Sequence, residues 1–372
     1  MKLRNLLLPL LAIFLILACS ESTDDGGSTS DDFDRKALLE NAADNIIIPA
    51  LTQLVEDLED LQLAQQDFTA TPNTTTLASL RTHWLDAYMT WQYIEMFNIG
   101  KAEEILYAFQ MNIYPTNVTD INNNIASGTY DLSIPNNNDA VGFPALDYLL
   151  FGVGQDETAI LTAYTTATDA QNRKQYLADL IDRMLELSNV VLDDWNGSYR
   201  DQFVNSTGNT ATSSVNLLIN DFIFYYEKGL RANKIGIPAG VFSTTPLPDR
   251  VEAYYSGELS KQLSLAALHA SEAFFNGRAF NGMGSGPSYA SYATYLRNNN
   301  GSEDLTAAIN NQLGVARSQM NQLDDNFSEQ ISTSNQMMTR TYDELQRAVV
   351  LLKVDLLQTL NISVDYVDAD GD

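Results

Sequence analysis

The sequence predicts an all-α protein made of two helical bundles in series, with about four main helices in each bundle. Apolar residues recur at steps of three and four along most of the chain, which is the spacing of one face of an α-helix. Alternation of apolar and polar residues, which is typical of a β-strand, is confined to residues 362–367. A polar stretch around Gly208 divides the helical segments, so we expect bundles at 33–207 and 208–372.

The first bundle begins with an apolar stripe over residues 38–61. Pro49 lies inside this stripe and predicts a kink rather than an end, because the periodicity resumes at once. After a break at 71–73, a second stripe runs over 77–94. Residues 107–141 are rich in Asn and Thr and predict a long, partly helical excursion, and a further helix is predicted over 170–196.

The second bundle is predicted from four apolar stripes, which lie near residues 217–234, 258–276, 303–323 and 336–360. The glycine-rich stretch 277–286 predicts a loop, either over a cleft or on the plain surface. Residues 368–372 resemble the start of an oxygen-ligand calcium loop. The later ligands of such a loop are missing, so we expect a frayed acidic tail.

The N-terminus carries the pattern of an export signal. Lys2 and Arg4 precede thirteen apolar residues, 6–18, which are too few to span a bilayer but suit a signal peptide. Residues 16–19, Ile-Leu-Ala-Cys, resemble a bacterial lipobox, and Cys19 is the only cysteine of the chain. We expect a lipoprotein signal peptide at 1–19, a lipid on Cys19 and a flexible tether at 20–32. The alternative is an ordinary cleaved signal with an incidental cysteine.

The chain of 372 residues is strongly acidic, with a net charge of −27. Loss of residues 1–19 would leave 19 basic against 48 acidic residues, a net charge of −29. Such a surface repels nucleic acids and anionic lipid headgroups, which we exclude as direct partners. Contact with a membrane is therefore expected only through the lipid anchor.

The segment from Gly142 to Gly152, with the sequence GFPALDYLLFG, carries the one acid that is predicted to be buried. Pro144 suits the first turn of a helix, where its missing N–H has no partner. Asp147 follows about one turn later among leucines and an aromatic residue. A buried acid in such surroundings needs a proton, a cation or a hydrogen-bond donor.

The same segment resembles the signature of the imelysin-like family. That signature is GxHxxE, followed by an aromatic residue, two leucines, an aromatic residue and glycine. Gly142 and Gly152 occupy the two glycine positions. Pro144 stands where the histidine is expected, and Asp147 stands where the glutamate is expected. The glycine, leucine and aromatic positions of the signature are kept, whereas its histidine and glutamate positions carry other residues.

Three further blocks resemble the family in the same order along the chain: residues 91–100, 234–240 and 248–256. The first is a Trp-rich helix end that contains Glu95. The resemblance implies an all-α, two-bundle lipoprotein of the bacterial envelope, anchored at the outer membrane on its periplasmic or surface face. Relatives were first described as peptidases, and many are instead associated with iron uptake.

Glu95 and Asp147 match the two acidic positions that lie near the signature histidine in the family. Two carboxylates without an imidazole prefer hard cations such as iron, calcium or magnesium. Glu95, Asp147 and the neighbouring Tyr148 are therefore the predicted ligand or metal contacts. The alternative, left open, is that both acids are paired with Arg, Tyr or backbone donors.

The sequence lacks the residue patterns that a zinc site, a serine hydrolase or a nucleotide site would require. The only histidines are His83 and His269, and HExxH is absent, so a zinc site is not expected. No GxSxG elbow is present. The glycines of 282–286 follow a helix rather than a strand, which argues against nucleotide binding.

The leading hypothesis is a non-catalytic binding lipoprotein linked to iron or metal uptake, which would act with iron-uptake proteins. Two alternatives stay open: an active or degenerate metallopeptidase, and a scaffolding lipoprotein with a vestigial cleft.

Overall fold

A computed structural model describes residues 31–298 and 304–366. From Phe33 onward the chain forms one compact unit. The described residues contain helices and a single isolated β-bridge between Arg278 and Ser285, but no β-strand. The predicted signal peptide, Cys19, most of the tether and the acidic tail lie outside the described residues. Within these ranges, no helix is long and apolar enough to cross a membrane.

The first half consists of ten α-helices joined by turns and by short π and 3₁₀ segments. They are α1 (Arg35–Asn41), α2 (Ile48–Ala70), α3 (Thr74–Trp91), α4 (Lys101–Glu104), α5 (Tyr107–Met111), α6 (Val118–Ser127), α7 (Gly142–Asp147), α8 (Glu157–Thr165), α9 (Ala170–Asp194) and α10 (Arg200–Asn205). The long helices α2, α3 and α9 pack together, and α7 packs against α3, α5 and α9.

The second half has six α-helices among the described residues. They are α11 (Ser214–Phe224), α12 (Ser260–Phe275), α13 (Tyr289–Asn298), α14 (Leu305–Met320), α15 (Phe327–Val350) and α16 (Leu357–Leu360). A π-helical segment, Tyr225–Gly236, continues α11 and packs against α12 and α15, and α14 packs against both of those helices. The predicted all-α class is thereby confirmed, and the packing within each half is compatible with the predicted pair of bundles.

Helix α1 connects the two halves, because it packs against both α10 and α11. The ring of Phe33 stacks on that of Tyr292 with centroids 4.4 Å apart, and Arg35 Nε donates to the Tyr292 hydroxyl at 2.9 Å. The division at residue 208 stays a prediction, and the start of the first half lies on the second.

Pro49 is the second residue of α2, and a π-helical segment, Ala42–Ile47, leads directly into that helix. The backbone of Ile47 and Ile48 is helical, so the helix continues. A proline cannot donate to the carbonyl four residues earlier, which here belongs to Asn45. That carbonyl instead accepts the backbone N–H of Phe280 at 2.8 Å. The proline thus frees an acceptor that holds the glycine-rich loop.

Asn41 fixes the two ends of the same loop. Its buried side chain donates to the carbonyls of Gly277 at 3.0 Å and Pro287 at 3.1 Å. A Cβ atom on Gly286 would overlap the Asn41 side chain, which explains a glycine at this close approach. Loop 277–286 is therefore anchored at its base, while its tip is exposed at Met283.

Three local features differ from the sequence prediction. Helices α4, α8, α10 and α13 lack a predicted counterpart. Helix α15 begins at Phe327 rather than near 336, because Ser334 has non-helical backbone angles (φ −155°, ψ 72°) that interrupt the apolar periodicity. The alternating residues 362–366 form no strand, since no neighbouring strand exists among the described residues to pair with them.

Replacement of Asn41 tests the anchoring of the loop. We expect Asn41→Ala to lower the free energy of unfolding by about 1–3 kcal/mol, because two carbonyls lose their donors. Asn189→Ala is the matched control, since that side chain bonds only to its own helix at Leu185. Urea unfolding measures both, and equal losses in the two variants would contradict the anchoring role.

Candidate functional site

The signature segment is buried at the centre of the first half. Gly142 has a positive φ of 74°, and a Cβ atom there would overlap the carbonyl oxygen of Met111. Directly after it, the ring of Phe143 stacks on Tyr88 with centroids 4.4 Å apart. Trp84 Nε1 donates to the Phe143 carbonyl at 3.3 Å. The signature glycine is therefore required by backbone conformation and by space.

Asp147 is the buried acid that the sequence predicts, with a side chain that is 2% exposed. Its two carboxylate oxygens accept backbone N–H groups of the second half, from Tyr255 at 2.7 Å and from Ser256 at 2.9 Å. Burial raises the pKa of Asp147 to about 7, and these hydrogen bonds oppose the increase. The backbone donors are one of the partners that the sequence left open for this acid.

Glu95 belongs to a second buried group, which we call the central cluster: Glu95, Asn112, Lys234 and Glu252. Asn112 Nδ2 donates to Oε1 of Glu95 at 3.0 Å and to Oε1 of Glu252 at 2.9 Å. The ammonium of Lys234 lies 2.6 Å from Glu252 Oε2 and 3.7 Å from Glu95 Oε2. Lys234 and Glu252 are each 1% exposed.

The central cluster has two carboxylates and one ammonium in an apolar interior. Burial raises the pKa of Glu95, and the charge of Lys234 lowers it in part. Burial together with the Glu95 and Glu252 charges raises the pKa of the nearby Tyr114 and Tyr225 well above the ordinary value. These phenols therefore stay protonated, and each keeps an O–H that can donate a hydrogen bond.

The sequence did not identify Lys234 and Glu252 as site residues. Both lie in blocks that resemble the family, at the start of 234–240 and inside 248–256. The four blocks meet in the fold, since Tyr255 and Ser256 bind Asp147 while Glu252 joins Lys234 and Gln92. The sequence signal that could have identified them is that each of these blocks contains a charged residue.

Two cavities lie beside these groups, and Tyr114 lines both. The Asp147 cavity has a volume of about 240 Å³ and is also lined by Pro144, Asp249 and Tyr255. The Asp221 cavity has a volume of about 390 Å³ and includes Glu95 and Asn112 in its wall. Glu95 and Asp147 therefore face different cavities rather than one shared cation position.

The remaining predicted residues lie elsewhere. The Tyr148 hydroxyl pairs with the side-chain amide of Asn122 at 3.1 Å, and its ring lies 5.1 Å from that of Tyr255, in a closely packed contact. His269 pairs with the Tyr93 hydroxyl at 3.0 Å, and neither it nor His83 lines either cavity. Across 31–298 and 304–366, no three His, Cys, Asp or Glu side chains are grouped to hold a metal ion.

Removal of the central ammonium tests the cluster. We expect Lys234→Met to lower the free energy of unfolding by about 3–5 kcal/mol, because two acids keep their burial and lose the compensating charge. A further Glu252→Gln change should recover most of the loss. Lys101→Met is the control, since its ion pair with Glu104 is on the surface. Guanidinium unfolding that gives Lys234→Met no larger loss than the control would refute this account.

The raised pKa of Asp147 predicts a pH dependence. The native state holds this proton to about pH 7, whereas the unfolded chain releases it near its usual pKa of 3.8. The stabilisation is therefore complete below about pH 4 and is lost as the pH rises through 7.

Asp147→Asn should reduce the fall in unfolding free energy between pH 5 and pH 8 by at least about 1.4 kcal/mol, the equivalent of one pKa unit. The informative quantity is the change of the unfolding free energy with pH. The loss of one N–H acceptor in the amide lowers that free energy at every pH and does not change its slope. Asp60→Asn, an exposed position, should keep the wild-type slope. An unchanged slope in Asp147→Asn would show that the carboxyl titrates normally.

The sequence and the fold have counterparts among known proteins. The family model described as Imelysin, Peptidase_M75, matches residues 47–354. An imelysin-like protein from Psychrobacter arcticum is similar in structure, with a TM-score of 0.69 and 17% identity over 90% of this chain and 97% of that chain. A candidate iron-regulated protein A precursor from Parabacteroides distasonis gives a TM-score of 0.70 and 16% identity over 88% and 96%.

No curated protein sequence matches the chain. The family model spans most of the chain, from the residue before α2 to a position shortly after α15, and includes all four blocks that form the site. The chain belongs to the imelysin family.

Proposed function

We propose that this protein is a non-catalytic, lipid-anchored binding protein of the cell envelope that takes part in the uptake of iron or another hard cation. The cargo would be a metal complex held in the Asp147 cavity, rather than a bare ion held between Glu95 and Asp147. The observation that carries the proposal is the position of Lys234, whose ammonium already lies between Glu95 and Glu252.

A bare cation would have to displace this ammonium from the central cluster. It would also compete at Asp147 with two backbone N–H groups that occupy both carboxylate oxygens. Pro144 lines the Asp147 cavity where the family signature has a histidine, so an imidazole ligand is missing from that wall. These residues are a poor ligand set for a naked metal ion.

The Asp147 cavity suits a complex that brings its own ligands. Its wall combines the carboxylates of Asp147 and Asp249 with tyrosine side chains, and the described lining has no Lys or Arg. Such a wall favours a neutral or cationic complex over an anionic one. The name of the Parabacteroides relative supports a link to iron, and the word precursor in that name supports export.

Calorimetric titration tests the proposal. Purified protein would be titrated with a cationic ferric trihydroxamate complex, ferric citrate, ferrous iron, calcium and zinc. We expect saturable binding of the cationic ferric complex and at least tenfold weaker binding in Asp147→Asn. Asp221→Asn, which faces the other cavity, serves as the control and should bind as the wild type does.

Tight binding of the bare ions alone would overturn the preference for a complex. Absence of binding to all five probes would refute a role in metal capture and would favour the scaffolding alternative, which predicts a protein partner that is insensitive to changes at Glu95 or Asp147.

A metallopeptidase is the second candidate, and one observation favours it. A carboxyl group with a pKa near 7 beside a cavity is suited to proton transfer at neutral pH. This alternative predicts chelator-sensitive cleavage of an unfolded protein substrate that is lost in Asp147→Ala. Cleavage that survives the chelator and the substitution would come from a contaminating protease.

A further inference from the structure

The Asp221 cavity lies on the other side of Tyr114 and is not needed for the proposed function. Its walls come from the turn that follows α3, from α5 and α11, and from the π segment that follows α11. Much of the lining is apolar, and it includes Met96, Ala108 and Ile113. At 390 Å³ the cavity is within the usual size range of small-molecule sites.

Two aromatic side chains that line this cavity are exposed. Phe109 is 53% exposed and Phe224 is 44% exposed, and they come from opposite halves of the chain. Large apolar side chains that are half exposed at a cavity lose water contact when an apolar ligand covers them. The rim therefore favours a ligand with an apolar body.

Part of the polar lining of this cavity makes no hydrogen bond. Oδ2 of Asp221 is buried without a hydrogen bond in the described structure, and Oε2 of Glu95, which also makes none, has the ammonium of Lys234 at 3.7 Å. The hydroxyl of Tyr225, a residue that is 5% exposed, also makes no hydrogen bond in the described structure. A buried oxygen without a donor costs free energy that a bound donor would recover.

The charge around Asp221 is negative. Burial, followed by the charges of Glu103 and Asp365, raises the pKa of Asp221 to about 8. Lys228 also lines this cavity, and its ammonium lies 3.4 Å from the fully buried Glu227, while Lys234 pairs with Glu252. A cation brought by a ligand would favour the ionised form of the Asp221 carboxyl.

We propose that the Asp221 cavity is a second binding site, specific for a primary amine with an apolar or aromatic body. The ammonium group donates to Asp221 and to the carboxylate of Glu95, and the apolar body lies against Ala108, Ile113 and the rings of Phe109 and Phe224. A primary ammonium carries three donors, which suits a site with several unpartnered acceptors. A bare metal ion would leave the apolar lining without a partner.

Ligand-observed NMR and calorimetry test the site with four probes of one shape: 2-phenylethylamine, its N-trimethyl derivative, 2-phenylethanol and 3-phenylpropionate. Only the primary amine is expected to bind saturably with a dissociation constant below the millimolar range. The quaternary derivative has the charge without the donors, and the alcohol has the body without the charge.

Two variants locate the binding. Asp221→Asn should weaken amine binding at least tenfold, because it removes the carboxyl group that ionises when the ammonium binds and adds no volume. Phe109→Ala should weaken it severalfold without affecting the fold, because the ring is exposed. Asp249→Asn, which removes a charge of the same sign at the Asp147 cavity, should have no effect.

Equal binding of the alcohol and the amine would reduce the site to an apolar pocket. Equal loss in Asp249→Asn would mean that the amine is attracted only by the acidic surface, and absence of saturable binding would refute the site. Thermal unfolding of each variant confirms that the fold is kept. The ferric-complex titration depends on Asp147 instead, so either result stands without the other.

Discussion

The buried ion pair between Lys234 and Glu252 is the interaction on which the site depends. An ammonium and a carboxylate that are each 1% exposed have lost their water, and only their mutual contact at 2.6 Å and the surrounding amides offset that loss. Asn112 connects this pair to Glu95 on the first half. This ion pair therefore determines how residues 248–256 lie against the turn that follows α3.

Asp147 provides a second connection of the same kind, between the signature helix and the backbone of Tyr255 and Ser256. Together the two connections place charged groups of one half against donors of the other. With Cys19 as the only cysteine, no intramolecular disulfide can reinforce this interface. Its specificity depends on buried polar pairs, which make wrong docking of the halves costly.

The signature segment acquires a physical meaning in this arrangement. Pro144 lines the cavity beside Asp147 and lies in the first turn of α7. The central ammonium then gives the nearby acids an internal partner. The two cavities on either side of Tyr114 differ in character: one is small with acids and tyrosines, and the other is larger with an apolar lining. Two kinds of cationic ligand could be bound without competition.

The sequence by itself determined the long helices, the family frame and the burial of Asp147, because apolar periodicity and the spacing of glycine and proline are local properties. Its prediction that Glu95 is a ligand or metal contact stays a prediction. Only the tertiary structure paired Glu95 with Lys234 and placed Asp147 on another cavity, since these partners lie more than a hundred residues apart. Periodicity shows which residues are buried, but the identity of a buried charge's partner depends on how distant helices meet.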